Sequence, residues 1–516
     1  MAELSIAQAK RINRAQAQPM PAPIPPTAHK PSHGVHGAAL VMAATLSIGL
    51  TACGGGGDAS PPANPPSSNV APAPTPAPVP TPTPAPAPAP TPAPAPAPTF
   101  GVGGTVSGLA AGKSVTLLDN GGDAVVVSAN GNFHFPTKLA QGKPYAATVG
   151  TRPVGENCTV TNGSGTVGTA NVTNIAVACT LKPLFGYAVN SIDGTISAFT
   201  LDATTGMPTA IGTAVTVGLG PLSLTIDPAG KFVYVANANG NTITTLSIDP
   251  NTGLLTVVGT PTATGAQPFS ITRTPNGKFA YTANYGDNTL SAFSVNTGTG
   301  ALTTLAGVPA GANPYTVTIN SAGTFAYVVN ANSGGTVGTA MAFAINNTTG
   351  AFTQVGTTVN TGNTPQFIAV NPAGTLAYVA NSADSTIGIY SISNTGALTA
   401  SGTPVSTGAN SNPFYMAISP SGGFLYEANV LSNNVNVFSI NAANGALALV
   451  QTVTTGTDPV TILINPTGTF AYVVNAVDNT VVAYSIDATT GKLTAVTSGS
   501  AATGNIPRGM AIVAVP

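Results

Sequence analysis

Charge is scarce in this chain: only 6% of its 516 residues are Asp, Glu, Lys or Arg, and the formal net charge is −1. No basic cluster occurs outside the N-terminal leader, which excludes the electrostatic footprint of a nucleic-acid-binding protein. Tryptophan is absent, and none of the four histidines lies beyond His134. The rest of the chain therefore lacks the commonest general base of enzymes. Gly and Pro are abundant instead, with 59 and 46 residues, which favours turns over helices and predicts an all-β protein.

Cysteine is almost as rare, with three residues in the whole chain. No CxxC motif and no closely spaced histidine pair accompanies Cys158 and Cys179, so their spacing gives no support for zinc. In an exported protein an even pair of cysteines indicates a disulfide, and we predict one between these two residues. We expect no metal and no cofactor.

The third cysteine follows an apolar run. Residues 37–50 are apolar or small, are preceded by Lys30, His33 and His36, and lead to Leu-Thr-Ala-Cys ending at Cys53. This run is too short to span a bilayer and has the organisation of a secretory signal. Its ending resembles a bacterial lipobox, which implies cleavage before Cys53, lipidation of its thiol and a membrane anchor. The alternative is a buried free cysteine. Gly54 after the cysteine favours the outer membrane, periplasm or cell surface over the inner membrane.

Two further segments precede the main repeat. Residues 54–99 consist largely of Pro, Ala, Thr, Ser and Gly, which predicts an extended, disordered stalk rather than a packed domain. Residues 100–180 contain short alternating apolar runs separated by Asn-Gly and Gly-Gly turns. That pattern predicts a small β-sandwich, to which we assign the Cys158–Cys179 disulfide and a spacer role. The sequence thus divides into a signal (1–53), a stalk (54–99), a sandwich (100–180) and a repeat region (181–516).

An aromatic-x-x-Asn phrase occurs seven times in the repeat region, at spacings of 47, 47, 46, 51, 48 and 46 residues. Its first residues are Tyr187, Tyr234, Tyr281, Tyr327, Tyr378, Tyr426 and Tyr472. Each copy contains four strand-like runs, here called A to D, and strand A follows a proline. This period predicts a β-propeller of seven four-stranded blades. The first copy begins at strand B, whereas the chain ends with a lone strand A from Pro507. We therefore expect the C-terminal strand to complete the first blade and close the ring.

The strand-A proline, the P-x-G turn and the Tyr-x-x-Asn strand together resemble the seven-bladed β-propeller lactonase family and its YVTN-repeat relatives. The resemblance covers residues 181–516 and implies a propeller fold and, for enzymes of the family such as 6-phosphogluconolactonase-like proteins, opening of a lactone ring. Family members often carry Arg-His after the strand-A proline. Here Pro507 and Arg508 retain the arginine, and Gly509 stands in place of the histidine.

Departures from a repeated column are the candidate site residues, because structural residues recur in every copy. Arg273 stands in a column that otherwise holds only Ile and Val, and Glu427 in one that holds Ala, Val and Thr. Glu427 is a candidate general base and Arg273 a candidate carboxylate or phosphate ligand. The alternatives are a paired or solvent-reaching carboxylate and an arginine that extends to the rim of the ring.

The position after the strand-A proline supplies a second set of candidates. It holds Phe269, Tyr315, Gln366, Phe414 and Arg508 in five of the seven copies. A ring of aromatic side chains with one arginine suits a planar or sugar-like anion, although plain packing explains the aromatics equally well. Asp458, just before Pro459, is a further ligand-binding candidate.

Two functions follow. The first is an exported, lipid-anchored propeller that acts as a ligand- or partner-binding module of the cell envelope. It would reach the membrane through lipidated Cys53, bind a small molecule, glycan or envelope protein but no nucleic acid, and be a monomer. The second is a lactonase-family hydrolase in which Arg273 or Arg508 orients the substrate and Glu427 activates water. The sequence leaves open whether the protein is an enzyme, and an architectural role also remains open.

Overall fold

The computed structural model describes residues 97–153, 155–332 and 337–514, all within the compact unit Pro92–Pro516. Within these ranges the regular structure is β-strand throughout. No helix long and apolar enough to cross a membrane occurs among them. The predicted signal, Cys53 and most of the stalk lie outside the described residues.

Ten strands precede the repeat region. They are β1 (Thr99–Phe100), β2 (Val102–Ser107), β3 (Val115–Asp119), β4 (Asp123–Val127), β5 (Gly131–His134), β6 (Leu139–Ala140), β7 (Pro144–Thr151), β8 (Glu156–Thr161), β9 (Ser164–Thr166) and β10 (Val172–Leu181). Two four-stranded sheets, in the orders β5-β2-β10-β8 and β4-β3-β7-β9, are accompanied by the pair β1-β6. One apolar core contains Val106 and Val177 of the first sheet together with Val115 and Leu117 of the second. The two sheets therefore share a single interior.

A disulfide joins Cys158 and Cys179, as predicted. The two residues lie directly opposite each other on the antiparallel strands β8 and β10, and both are buried in the apolar core. A cross-link over 21 residues stabilises a fold by about 3 kcal/mol in the chain-entropy model. Because that core is small, the disulfide supplies a substantial share of its stability.

The remaining strands form the repeat region. They are β11 (Leu184–Asn190), β12 (Thr195–Leu201), β13 (Pro208–Thr216), β14 (Pro221–Ile226), β15 (Phe232–Asn237), β16 (Thr242–Ile248), β17 (Leu255–Ala263), β18 (Pro268–Arg273), β19 (Phe279–Asn284), β20 (Thr289–Val295), β21 (Leu302–Pro309), β22 (Pro314–Ile319), β23 (Phe325–Asn330), β24 (Val337–Ile345), β25 (Phe352–Asn363), β26 (Pro365–Val370), β27 (Leu376–Asn381), β28 (Thr386–Ile392), β29 (Leu398–Ala400), β30 (Val405–Ser406), β31 (Pro413–Ile418), β32 (Phe424–Asn429), β33 (Asn434–Ile440), β34 (Leu447–Thr454), β35 (Pro459–Ile464), β36 (Phe470–Asn475), β37 (Thr480–Ile486), β38 (Leu493–Ala502) and β39 (Pro507–Ala514).

These strands form seven antiparallel sheets, which confirms the predicted seven-bladed propeller. Six sheets have four strands, and the fifth has five because its outer strand is divided into β29 and β30. The seven A strands, in blade order, are β39, β14, β18, β22, β26, β31 and β35. Each of them contacts the A strand of the next blade, and β35 contacts β39. The A strands therefore form a complete inner ring.

The C-terminal strand β39 closes this ring, as predicted. It pairs antiparallel with β11, so that the first blade has the strand order β13-β12-β11-β39. The first blade is thereby assembled from the two ends of the repeat region. Because β39 pairs with β11, this blade leaves no edge of β11 unpaired.

The repeated tyrosine joins neighbouring blades. In four of the seven copies its hydroxyl donates to the carbonyl of a glycine in the C–D hairpin of the next blade, as Tyr187 does to Gly253 at 2.8 Å and Tyr426 does to Gly491 at 2.9 Å. Both glycines have a positive φ, and a Cβ at Gly253 would lie 2.2 Å from the ring of Phe185. Only glycine fits this position, because the hairpin must turn left-handed and pack closely on the preceding blade.

The turn into each A strand has one backbone conformation. The residue before the strand-A proline has a positive φ in all seven copies: Gly220, Gln267, Asn313, Thr364, Asn412, Asp458 and Ile506. Each strand-A proline then lies opposite the last Asn of the repeated phrase, as Pro459 lies opposite Asn475. The seven A strands therefore begin at one end of the ring, which we call the proline end. The turns between strands A and B lie at the other end.

Candidate functional site

Three aromatic residues that follow strand-A prolines come together at the proline end. The rings of Phe269 and Tyr315 lie 5.2 Å apart and perpendicular, and those of Tyr315 and Phe414 lie 6.0 Å apart. Tyr315 belongs to the fourth blade and Phe414 to the sixth, so this contact bridges two blades that are not neighbours. All three side chains are half-buried. They form a partly exposed cluster at the proline end, which we call the aromatic floor.

Tyr285 belongs to the same floor, although it was not among the candidates predicted from the sequence. Its ring stacks on Phe269 with a centroid distance of 4.4 Å and an interplanar angle of 11°. It also lies 6.3 Å from Tyr315, edge to face. Tyr285 could have been found from the repeat, because it is the one aromatic residue in its column. The residue after the last Asn of the phrase is small or aliphatic in the other copies: Ser191, Ala238, Ala331, Ser382, Val430 and Ala476.

Arg508 and Asp458 provide the charge next to this floor. Arg508 lies in the first blade and interacts electrostatically with Asp458 before the seventh A strand and with Tyr315. Burial raises the pKa of the Asp458 carboxyl, and Arg508 partly opposes that rise. Burial also raises the pKa of Tyr315 to about 12, so its hydroxyl is protonated at neutral pH. A partly desolvated carboxyl that interacts electrostatically with a cation is typical of acid–base sites.

Two polar atoms of the predicted ligand-binding set have no hydrogen-bond partner among the described residues. They are Nε of Arg508, which is a donor, and Oε1 of Gln366, which is an acceptor. Gln366 is held in place by the bond from its Nε2 to the Ser382 hydroxyl at 3.3 Å. Buried polar groups are usually paired, so an unpaired donor and acceptor close to an accessible aromatic surface are suited to a polar ligand.

Arg273 lies away from this cluster. It is the last residue of β18, opposite Ala280, and therefore lies at the end of the ring that carries the A–B turns. Its Nε donates to the carbonyl of Ile226 and its Nη1 to that of Thr274 at 3.3 Å. Burial lowers the pKa of its guanidinium, and nearby Asp227 opposes that shift. These contacts join the third blade to the second, which favours a structural role over the predicted catalytic one.

Glu427 also lies apart from the cluster. It is fully buried in β32, where Oε2 accepts hydrogen bonds from Nδ2 of Asn429 at 2.9 Å and of Asn436 at 3.0 Å. Burial raises its pKa to about 8, and the two amide bonds oppose that rise. No contact among the described residues joins Glu427 to Arg273 or Arg508. The structure therefore does not bring the two predicted catalytic residues together.

The recurring aspartates bind backbone, in agreement with their repetition. Asp202 of a C–D hairpin accepts from the N–H groups of Thr204 and Thr205 within its own turn. Asp193 of a B–C turn accepts from Asn505 at 2.8 Å, so it ties that turn to the loop before strand A. One possible metal cluster occurs among the described residues, Glu156 with Cys158 and Cys179, but the disulfide removes both thiolates.

The fold is a seven-bladed propeller, and a polar and aromatic cluster lies at one end of its ring. The family described as "Lactonase, 7-bladed beta-propeller" matches this chain over residues 159–268, 260–337, 288–414 and 399–506. The chain belongs to this lactonase family.

Solved structures show the same architecture. A candidate 6-phosphogluconolactonase from Bacteroides uniformis is 21% identical with a TM-score of 0.58, over 64% of this chain and 100% of its own. The periplasmic gluconolactonase of Pseudomonas aeruginosa is 19% identical with a TM-score of 0.55, again over 64% and 100%. A protein from Lactobacillus plantarum is 21% identical with a TM-score of 0.56 over the same shares. The chain has no match among curated protein sequences. At these identities the structural likeness shows the fold alone.

Proposed function

We propose that this protein hydrolyses a lactone at the proline end of its propeller, with Asp458 as general base and Arg508 as the group that binds developing negative charge. The observation that carries the proposal is the electrostatic interaction of Arg508 with the partly desolvated Asp458 carboxyl and with Tyr315 of the aromatic floor. Membership of the lactonase family supports it. Compared with the sequence-based hypothesis, Asp458 replaces Glu427 as the base.

The chemistry requires little more than these two groups. Asp458 takes a proton from a water molecule, whose oxygen attacks the lactone carbonyl and forms a tetrahedral oxyanion. Arg508 stabilises that oxyanion through its unpaired Nε–H. The bond between the carbonyl carbon and the ring oxygen then breaks, and the ring oxygen leaves as an alcohol after taking the proton from Asp458. The product is a hydroxy acid.

The test is to measure the hydrolysis of a panel of lactones by the full chain, with proton release as the readout. We expect Asp458→Asn to reduce kcat/KM by roughly 10²- to 10⁴-fold, the usual contribution of a general base. Asparagine suits this position because Asn313 and Asn412 occupy the equivalent left-handed site in other blades. Arg273→Gln is the matched control, because Arg273 lies at the opposite end of the ring and should retain activity. Full activity in Asp458→Asn, or no turnover of any lactone by the wild type, would refute the proposal.

A second candidate function is binding without catalysis. It is supported by the unpaired polar atoms of Arg508 and Gln366 next to four aromatic rings, which suit recognition of a small polar ligand. In this function the protein is an envelope module that captures a ligand, glycan or protein partner. A wild-type protein that binds lactones or sugar acids in calorimetry but never hydrolyses them would favour it.

We also propose that the protein is exported and anchored by a lipid on Cys53, with residues 54–99 as a stalk. The supporting observation is the apolar run that ends in Leu-Thr-Ala-Cys. Metabolic labelling with a radioactive fatty acid should mark the wild type and not Cys53→Ser. Membrane fractionation of the same two proteins should show the variant in the soluble fraction, and equal labelling of both would contradict the anchor.

A further inference from the structure

An arc of exposed aliphatic side chains lies on the proline end. Leu431, Val477 and Ile192 occupy one column, two residues after the last Asn of the repeated phrase, in the sixth, seventh and first blades. They are 55%, 38% and 73% exposed. Leu219, 70% exposed in the loop that enters the second blade, continues the series. The same column holds Asn239, Gly286, Asn332 and Ala383 in the other four blades. We call Leu431, Val477, Ile192 and Leu219 the apolar arc.

The apolar arc adjoins the proposed active site. Val477 donates its backbone N–H to the carbonyl of Thr457 at 3.3 Å, and the preceding Ala476 donates to the carbonyl of Asp458 at 2.8 Å. Ile192 donates to the carbonyl of Asn505 at 3.4 Å, three residues before Arg508. Val477 and Ile192 therefore rest on the loops that carry the charged pair, whereas Leu431 donates its backbone N–H to the carbonyl of Ser411 before the sixth A strand.

An apolar cluster connects the arc to the aromatic floor. Phe414 of the floor, Val430 beside Leu431, and Ile506 all pack against one core that contains Val460 and Ala476. The surface from the floor to the arc thus rests on a continuous apolar base across the sixth, seventh and first blades.

The charge at this end disfavours a multiply charged substrate. The cations of residues 181–516 are Lys182, Lys231, Arg273, Lys278, Lys492 and Arg508. All except Arg508 lie near the start of strand B, in a C–D hairpin or at the end of strand A, and hence at the opposite end of the ring. Four B–C turn aspartates accompany Asp458 at the proline end: Asp193, Asp287, Asp384 and Asp478. A phosphate monoester carries nearly two negative charges at neutral pH, and one arginine among five carboxyls does not compensate them.

We infer that the substrate is an uncharged or singly charged lactone that carries an aliphatic chain, with its ring over Asp458 and Arg508 and its chain along the apolar arc. This inference rests on the proposed lactonase function and names the substrate class of the same site. Each methylene that leaves water on the arc favours binding, because burial of one CH₂ is worth up to about fourfold in an equilibrium constant.

The experiment is to measure kcat/KM of the full-length protein for δ-lactones of increasing alkyl length, from δ-valerolactone to δ-dodecalactone, and for 6-phosphogluconolactone. We expect kcat/KM to rise roughly two- to fourfold per methylene and 6-phosphogluconolactone to be the poorer substrate. In the double variant Ile192→Ser, Leu431→Ser the slope against chain length should fall to half or less. The slope is normalised to the rate of the same variant on δ-valerolactone, so that a general loss of activity does not affect it.

Val257→Ser, Leu449→Ser is the matched control, because these side chains are 42% and 60% exposed on the outer strands β17 and β34. This variant should keep the wild-type slope. If lactones are hydrolysed without dependence on chain length, or if 6-phosphogluconolactone is preferred, the inference is overturned while the proposed function stands. If the wild type hydrolyses no lactone, both fail. An equal loss of slope in the control variant would also overturn the role of the arc.

Discussion

At the scale of single residues, each position of the repeat occurs in seven blades, so an unusual residue in one blade can be compared with its six equivalents. Glu427 lies in a column whose other members are Ala188, Val235, Thr282, Val328, Val379 and Val473. It is fully buried, and its Oε1 has no partner among the described residues. A buried carboxylate without a cation is costly, so the neutral acid is favoured and its pKa rises to about 8. Glu427 should therefore affect the stability of the protein and the dependence of that stability on pH.

The first prediction concerns this pH dependence. The folded protein holds the Glu427 proton up to about pH 8, whereas a glutamate in the unfolded chain loses it near its ordinary pKa of 4.5. Relative to the Glu427→Gln variant, the free energy of unfolding of the wild type should therefore fall as pH rises from about 5 to 8. Urea unfolding of both proteins at several pH values measures the difference. A constant difference across this range would show that Glu427 does not titrate there.

The second prediction concerns Thr364, a β-branched residue with a φ of 51° before a strand-A proline. Threonine is strained in this left-handed conformation, and asparagine tolerates it better. Thr364→Asn should increase the free energy of unfolding by about 1 kcal/mol in urea titrations. Thr357→Asn, at an exposed position of β25 with ordinary backbone, is the control and should be neutral or slightly destabilising. Equal effects of the two substitutions would argue against strain at Thr364.

At the scale of elements, the proposed site is assembled from the first residues of several A strands rather than from one loop. Arg508 is the second residue of β39, and Asp458 immediately precedes β35. These two strands are neighbours in the inner ring. The positive φ before each proline sets the start of every A strand in the same way. Side chains that follow different prolines therefore meet at one end.

The third prediction follows from this pairing. Arg508 lowers the pKa of Asp458 against the larger effect of burial, so its removal should raise that pKa further. If Asp458 is the base, activity is lost as pH falls through its pKa. The acidic limb of the kcat/KM profile should then move to higher pH in Arg508→Gln, in addition to a fall in the maximum. Arg273→Gln should leave the acidic limb in place. An unshifted limb in Arg508→Gln would show that Arg508 does not influence the pKa of the catalytic base.

At the scale of the whole molecule, ring closure links the two ends of the repeat region. The strand β39 pairs with β11 and also contacts β14 and β35 of the neighbouring blades. It contributes Met510, buried against the first blade, as well as Arg508. Closure therefore couples the stability of the ring to the assembly of the site.

The fourth prediction tests this coupling. Deletion of residues 507 onward should expose the edge of β11, broaden the unfolding transition and promote association through the free edge. Circular dichroism on heating and analytical ultracentrifugation measure both effects. The full-length Arg508→Gln variant separates loss of the strand from loss of its arginine, and it should unfold cooperatively. A truncated chain that unfolds as sharply as the wild type would show that the ring does not need β39.

Much of the fold was predictable because the repeat is local and regular. The phrase at Tyr187 and its six copies predicted the strands, their number and the closing strand at Pro507, and the cysteine pair predicted the disulfide. The site was predicted only in part. The residues after the strand-A prolines were predicted to form a ring, and the aromatic rings of Phe269, Tyr315 and Phe414 do contact one another. Arg273, a candidate for orienting the substrate, instead contacts Ile226 and Thr274 at the other end. Tyr285 was missed although it departs from its column, and only the tertiary structure shows that its ring stacks on Phe269 of a different strand.

The sequence by itself therefore determined the number of blades, the strand boundaries, the turn chemistry and the lack of histidine in the propeller. These features depend on residues close to one another in the chain, so the repeat makes them visible. Only the tertiary structure decided which departures from the repeat meet. Arg508 interacts electrostatically with Asp458, the rings of Tyr315 and Phe414 lie 6.0 Å apart although a blade separates them in the ring, and Glu427 is fully buried in the sixth blade. Such contacts join distant parts of the chain, and they are set by the ring and by the end of each strand at which a side chain lies.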